Sequence, residues 1–345
     1  GVVIDTVMSF MYSWFLRLQL VEQGEKLEME NYEALCNSCI EMINEGAITI
    51  EDIVSTINSQ PDQYAFDCIM VDESQDWPQG EVDILKMLYG PTKICLADGV
   101  DQLLRGERPD WDRGVSEGDR LLISLDQCLR MKRNLAIFAH DVSELGGYRW
   151  DAKPNKKAGG GKVKILLRPY ECYSRFHDQL LNEVKDKGND ELDFLHCVPS
   201  SNVLDENGVR TSKIGAYLLS KGYEVWDGVD ARLRRHFPRS KKQFRIVQYA
   251  SCRGLEGWAV VLHFADQYWE ESRNIRAAEG LTELERLSFV DLDEVARSYA
   301  WQRSLIPLTR PIDTLIISLS DVSSEYSLAL LQAARNNPDF VEIMD

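Results

Sequence analysis

The sequence predicts an α/β protein built on parallel sheets and divided into about two domains. Three observations carry this expectation. Residues 66–71 (Phe-Asp-Cys-Ile-Met-Val) are nearly all apolar or β-compatible and end abruptly in Asp72 and Glu73, the pattern of a buried parallel strand with acids at its carboxyl end. Residues 93–97 repeat that arrangement and run into Asp98. From residue 163 onward, strand-like and helix-like segments alternate. The 345 residues are enough for two domains of ordinary size. A Lys- and Gly-rich stretch near 150–160 marks the expected boundary, giving domains 1–150 and 151–322 and an acidic helical tail, 323–345.

Composition narrows the function classes. A hydrophobic fraction of 44% and a charged fraction of 28% are those of an ordinary globular chain. The net charge of −17 argues against a general nucleic-acid coat, so any polyanion must be met by a local basic surface. The eight cysteines are scattered, and only Cys36 and Cys39 form a CxxC pair, read here as helix neighbours and not as a metal site. Free thiols suit a reducing, cytoplasmic setting. The apolar stretch 7–16 is too short to span a bilayer and lacks the basic leader of a secretory signal.

In chain order, residues 1–5 read as a short strand. Thr6 opens a helix whose Val7, Phe10, Met11, Trp14, Phe15 and Leu18 share one face. Residues 20–60 read as helical, with Thr49 starting a short helix at Ile50. Adjacent acids leaving a strand suit phosphate chemistry, Asp72 holding Mg²⁺ and Glu73 taking a proton from an attacking water; a solvated acidic turn is the bland alternative. Pro78 starts a helix that ends at Gly90-Pro91, and residues 107–119 form a surface loop. Arg130 precedes an amphipathic helix, where a guanidinium can clamp a phosphate or simply make a surface ion pair. His140-Asp141 and His177-Asp178 read as structural. The lysines between 153 and 164, around Gly159 to Gly161, read as a flexible connection.

Strands are expected at 163–167, 192–198 and 223–226, with helices at 174–184 and 213–220. Arg232, Arg234, Arg235, Arg239, Lys241, Lys242 and Arg245 occur without an intervening acid. Such a run is either a phosphate-facing strip or a solvated basic hairpin. A strand at 315–319 is expected to close the second sheet.

Five segments, in order, resemble the UvrD/Rep type of superfamily 1 DNA helicase. Val71 to Asp76 (Val-Asp-Glu-Ser-Gln-Asp) resembles motif II. The stretch from Ala97 through Gln102 to Arg105-Gly106 resembles motif III, with Ala97 for Gly and one inserted residue. Residues 125–140, with Arg130, resemble motif IV; Gly254-Leu255-Glu256 matches motif V; Thr309-Arg310 matches motif VI. Residues 3–10 resemble motif Ib, with Met8 in place of His.

The resemblance implies two RecA-like, P-loop NTPase-type domains, the first incomplete, facing each other across a nucleotide cleft. It implies ATP and Mg²⁺ as cofactors. Asp72 would hold the metal, Glu73 activate water, Gln102 sense the γ-phosphate, and Arg130 and Arg310 stabilise the leaving charge. Gly254 and Glu256 would touch the nucleotide. Thr6, Phe10, Arg235, Lys241, Lys242 and Arg253 would meet single-stranded DNA. Gln248, Ala250 and Arg253 replace the usual Thr, His and Lys, and Pro307 and Pro311 flank the motif VI arginine.

No Gly-x-x-x-x-Gly-Lys-Ser/Thr is present, and the similar Ala-Gly-Gly-Gly-Lys at 158–162 leads into a strand. The expected protein is therefore the carboxyl-terminal majority of an ATP-dependent helicase or translocase, inactive until a P-loop segment is supplied upstream or by a partner chain. The alternative is a non-catalytic helicase-like module that grips protein or nucleic acid.

Overall fold

A computed structural model describes residues 2–24, 29–99, 108–125, 127–148, 150, 152–173, 175–234 and 236–345. The chain divides into two compact units, Gly1–Ile123 and Ser124–Asp345. Both are α/β. Among the described residues no helix is long and apolar enough to cross a membrane.

The first unit runs α1 (Val7–Arg17), α2 (Met29–Asn44), α3 (Ile50–Ser59), a one-turn α4 (Pro61–Tyr64), β1 (Ile69–Val71), α5 (Gln79–Tyr89) and β2 (Ile94–Leu96). Thr6 caps α1 by accepting from the Ser9 amide, and Thr49 with Asp52 forms a capping box on α3. The helices bury their apolar faces around Trp14, whose ring meets Tyr64 at 4.9 Å and Tyr89 at 5.8 Å. Its Nε1 donates to the Tyr89 hydroxyl at 3.2 Å, so the indole is buried without an unpaired donor.

β1 and β2 pair in parallel, Met70 opposite Cys95. Two sequence expectations change here. Residues 2–5 are exposed and form no strand. The strand expected to be wholly buried is also only half so: Val71 is inside, but Met70 is 81% exposed. A two-stranded sheet has two faces, and the helices described here cover one of them.

The second unit opens with two residues, β3 (Gln127–Cys128), paired to β4 (Lys153–Pro154), with α6 (Arg133–Leu145) between. There follow β5 (Lys162–Leu166), α7 (Phe176–Lys185), β6 (Phe194–Val198), the hairpin β7 (Val203–Glu206) and β8 (Val209–Ser212), α8 (Lys213–Ser220), β9 (Glu224–Asp227) and the short α9 (Ala231–Arg234). The unit ends with β10 (Gln243–Gln248), β11 (Gly257–Leu262), α10 (Ala265–Glu279), α11 (Glu283–Leu287), α12 (Leu292–Leu308), β12 (Pro311–Ser318), α13 (Glu325–Asn336) and β13 (Val341–Met344).

Among the described residues, seven strands form one all-parallel sheet, ordered β13-β5-β12-β11-β6-β10-β9. Every residue of β6 is buried, as a central parallel strand requires.

Residues 124–150, expected beside the first half of the chain, pack in this second unit. The Lys/Gly stretch after them is docked, not loose. Arg133 donates its amide to Ala158 O at 2.8 Å and Asn134 to Gly160 O at 2.9 Å, so the start of α6 uses those carbonyls. Gly161, at φ +100°, lies where a Cβ would sit 3.0 Å from the Leu135 side chain, so a larger residue there would be strained. The segment 323–345 is a helix followed by an edge strand, Val341 lying opposite Val163. β13 is only four residues long, and its alternation is too brief to stand out beside the helical pattern before it.

Three histidines are buried in the core of this unit. His196 Nδ1 and His263 Nε2 are 3.0 Å apart, and the Tyr170 hydroxyl bonds His177 Nδ1 at 2.9 Å. Phe194, Phe244 and Tyr223 surround them. Burial pushes all three imidazoles down: His177 to about 4, His263 to about 3, and His196 well below its ordinary value. Each stays neutral in the fold while its unfolded counterpart takes a proton near pH 6.5.

Stability is therefore full above pH 6.5 and falls as the pH drops from there toward about 4. Each histidine costs about 1.4 kcal/mol per pH unit over that window. Urea midpoints measured between pH 7.5 and 4.5 should show this decline, with a shallower slope in His177→Phe. A midpoint that is flat to pH 5 would contradict it.

Candidate functional site

Sequence-nominated residues gather at two places, one in each unit. In the first unit the parallel register of β1 on β2 sets the carboxyl ends of both strands side by side. Ser74 donates its amide to Ala97 O at 3.0 Å, continuing the ladder past the strands. Asp72 is exposed, and its Oδ1 accepts from the Glu73 amide at 2.9 Å. Glu73 takes a left-handed conformation, φ +51° and ψ +43°, which is costly for a residue with a side chain and held here by its neighbours.

Gln75 does much of the holding. Its Nε2 donates to Glu73 Oε2 at 2.9 Å while its Oε1 accepts from the Gly99 amide at 2.9 Å. One buried amide thus fixes the Glu73 carboxylate and staples the two strand ends together. Gly99 approaches so closely that a Cβ there would lie 3.4 Å from Glu73 Oε2. Trp111 Nε1 donates to Ser74 O at 2.8 Å and closes the turn from outside. A carboxylate oriented by an amide, next to an exposed Asp, can do base chemistry on water held near a cation. One exposed carboxylate suits Mg²⁺, which keeps most of its waters and takes phosphate oxygens as further ligands.

In the second unit the nominated residues meet at the amino-terminal edge of the sheet. Arg130 Nε lies 2.8 Å from Glu256 Oε2. Gly257, the next residue, donates its amide to Arg310 O at 3.3 Å. Segments near 130, 256 and 310 are therefore neighbours in space. Gly254, at φ +73°, supplies the left-handed turn leading into the edge. Arg310 itself is only 3% exposed: Nε donates to Ile306 O at 3.0 Å and Nη2 to Thr309 Oγ1 at 3.1 Å, at the end of α12. Pro307 sits in the last turn of that helix and Pro311 begins β12, so the two prolines mark where helix ends and strand starts.

Around this edge stand residues not singled out from sequence. Asp313, 2% exposed, accepts from Lys132 Nζ, from Lys187 Nζ at 2.6 Å and from Thr314 Oγ1 at 2.8 Å. Burial pushes its carboxyl up, but the two ammonium groups outweigh burial and hold it below the usual range. Both lysines also lie over the Trp258 ring, at 5.0 Å and 5.8 Å from its centroid. Arg245 donates to Leu192 O at 2.6 Å and to Glu256 O at 2.7 Å.

The β11–β12 register explains the placement of Asp313. Gly257 faces Pro311 and Ala259 faces Thr314, so Ile312 and Asp313 together oppose the single Trp258. Such a bulge re-aims a side chain. Lys132 and Asp313 lie two and three residues beyond the nominated Arg130 and Arg310, which was a usable signal. Lys187 had none.

The other nominated residues stand apart. Gln102 and Arg235 lie outside the described residues. Thr6 caps α1, and Phe10 packs against Phe66 and Tyr89 at 6.4 Å and 6.2 Å. Arg253 is half-buried, while Lys241 and Lys242 are exposed, Lys241 lying 3.9 Å from Asp190. In the same basic run, Arg232 bonds Asp230 and Gly208 O, and Arg234 bonds Ser251.

No family model matches this chain. A pyranose dehydrogenase of Agaricus campestris is 27% identical over 155 residues, covering 42% of this chain and 25% of that protein; the chain thus spans a quarter of the length of this curated relative. Among solved structures, the C-terminal domain of a possible DNA helicase from Lactobacillus plantarum WCFS1 is similar to 63% of this chain and 98% of its own length. Its identity is 12% and its TM-score 0.34.

Proposed function

We propose that this chain is the carboxyl-terminal majority of a UvrD-like superfamily 1 helicase or translocase that couples ATP hydrolysis to movement on single-stranded DNA. The observation that carries this reading is the 2.8 Å pair between Arg130 and Glu256 beside the Arg310 backbone. Segments separated by some 180 residues of chain, each nominated from sequence alone, meet at one sheet edge. In this reading Asp72 takes Mg²⁺ and Glu73, oriented by Gln75, accepts the proton of the attacking water. In the second unit, taken by itself, Arg130 and Arg310 would offset phosphate charge, and Gly254 and Glu256 would line a nucleotide. Backbone amides of a P-loop, which this sequence does not contain, would come from an upstream segment or a partner chain.

A specific observation favours a second reading, a helicase-like module that grips nucleic acid or protein without turnover. Arg310 is buried and directs donors into its own helix end, so a phosphate would have to draw it out.

One experiment separates the two. The chain alone is expected to show negligible ATPase with or without single-stranded DNA. Supplied with a P-loop-bearing segment, it should turn over ATP, and Glu73→Gln should lower the rate by about 10²–10⁴-fold with nucleotide affinity unchanged. DNA-stimulated turnover by the chain alone, lost in Glu73→Gln, would remove the need for another segment. No turnover with the segment present would favour the gripping module.

Gln75→Ala in the same assay should lower turnover by about tenfold or more, because the Glu73 carboxylate loses its orienting amide. Equal rates for Gln75→Ala and the parent would show that this hydrogen bond does not position the base.

A further inference from the structure

We infer that Lys132 and Lys187, poised by Asp313 over Trp258, form a phosphate-binding site for the triphosphate tail of a nucleoside triphosphate. This rests on the nucleotide reading above and adds to it two cations that the sequence did not single out, Lys132 within the motif IV-like stretch and Lys187 outside every motif.

The charge balance is the first support. One buried carboxylate needs one cation, yet two ammonium groups converge on Asp313. Across the edge, Arg130, Lys132, Lys187 and Arg245 stand against Glu256, Asp313 and the more remote Asp193. Four cations facing three carboxylates leave an excess positive charge in a chain of net charge −17. Arg245 donates to the Leu192 and Glu256 carbonyl oxygens, which carry no net charge.

Geometry is the second. Residues 130 and 132 run beside residues 256 and 258, so the Arg130 and Lys132 contacts are consecutive along one edge. Both lysine side chains are partly exposed, at 28% and 37%, while the carboxylate that aims them is closed off from solvent. Buried Asp313 therefore acts from below, and the outward faces of the ammonium groups stay open to a ligand. Trp258 Nε1 is buried and has no acceptor among the described residues.

The shape favours a compact anion over a strand. Lys132 and Lys187, from separate segments, converge on the one Asp313 carboxylate, whereas a nucleic-acid backbone spreads its charge along a groove. Trp258, which could otherwise stack on a base, has its ring occupied by the two lysines.

The test uses the full chain, with inorganic tripolyphosphate, Mg²⁺ and ATPγS, and an oligo-dT strand as separate ligands, followed by calorimetry and tryptophan fluorescence. Tripolyphosphate and ATPγS should bind, and Lys132→Gln and Lys187→Gln should each weaken them about tenfold. Trp258→Phe should remove the ligand-induced fluorescence change and weaken the calorimetric affinity less than either lysine variant does, since the ring that supports the ammonium groups is kept. Asp313→Asn, which removes the carboxylate that aims both ammonium groups, should weaken binding severalfold in a protein whose melting curve shows it folded.

Unchanged affinity in both lysine variants, with binding lost in Arg130→Ala, overturns the inference and leaves the nucleotide reading standing. Lysine variants that lose oligo-dT but keep ATPγS overturn it in favour of a strand site. A folded parent chain that binds neither tripolyphosphate nor ATPγS at millimolar concentration overturns both.

Discussion

The parallel pairing of β11 with β12 is the constraint from which the edge in the second unit follows. Parallel neighbours start at the same end of a sheet, so chain entering β11 after Gly254-Leu255-Glu256 and chain entering β12 after Thr309-Arg310 must arrive side by side. The bulge opposite Trp258 then decides what faces what. With two residues against one, the pleat loses its alternation, and Asp313 turns toward the lysines where an unbroken strand would have alternated past them. A buried carboxylate without partners would cost several kcal/mol or take up a proton. Lys132 and Lys187 are what allow it to remain charged there. The opposite edge of the sheet is closed differently: Asp266 accepts from Ser320 and Asp321 near the ends of β11 and β12 and is spent on holding them.

In the first unit a single amide has a comparable part. Glu73 in a left-handed conformation would relax if nothing opposed it. Gln75 opposes it from one side and ties Gly99 from the other, so the two short strands and the acidic turn act as one object. A two-stranded sheet of three residues each has little ladder of its own. Its order comes instead from the aromatic packing of α1 and α5 around Trp14 and from the side-chain bonds at the strand ends.

Much of this fold could be read from the sequence, and the failures have common causes. Thr49 before an apolar-periodic run gave the start of α3, Gly90 the end of α5, and 213–220 the bounds of α8, because caps and periodicity act locally. The exposed Met70 could not be foreseen, since an apolar strand residue looks the same whether or not a second layer covers it. β13 was hidden by its brevity, and the docking of Gly160 and Gly161 on α6 by a composition that usually means a loose connection. At the candidate site, Arg130 and Glu256 were each legible by motif, but their pairing was a fact of register. Lys187, in a Lys-Asp-Lys-Gly turn, carries no local pattern at all. Its meaning depends on Asp313, 126 residues away in sequence.

Charge segregation invites the basic run from Arg232 to Arg245 as the surface for a polyanion, and the side chains argue otherwise. Arg232 is paired with Asp230, while Arg234 bonds Ser251 and Arg245 bonds backbone carbonyls, so the donors of these three arginines are already engaged within the fold. The repulsion of a long anion by a chain of −17 is largely screened beyond the Debye length of about 8–10 Å, so the charges close to the ligand decide. Attraction must therefore act at short range, and short-range attraction is strongest where water is partly excluded and the effective dielectric is low. The lysines above Asp313 meet that condition, and the exposed Lys241 and Lys242 do not. A ligand that concentrates several charges within a few ångströms gains more from such a place than one that distributes them along a groove, which is why the edge of the second sheet suits a nucleotide's phosphates better than a strand's.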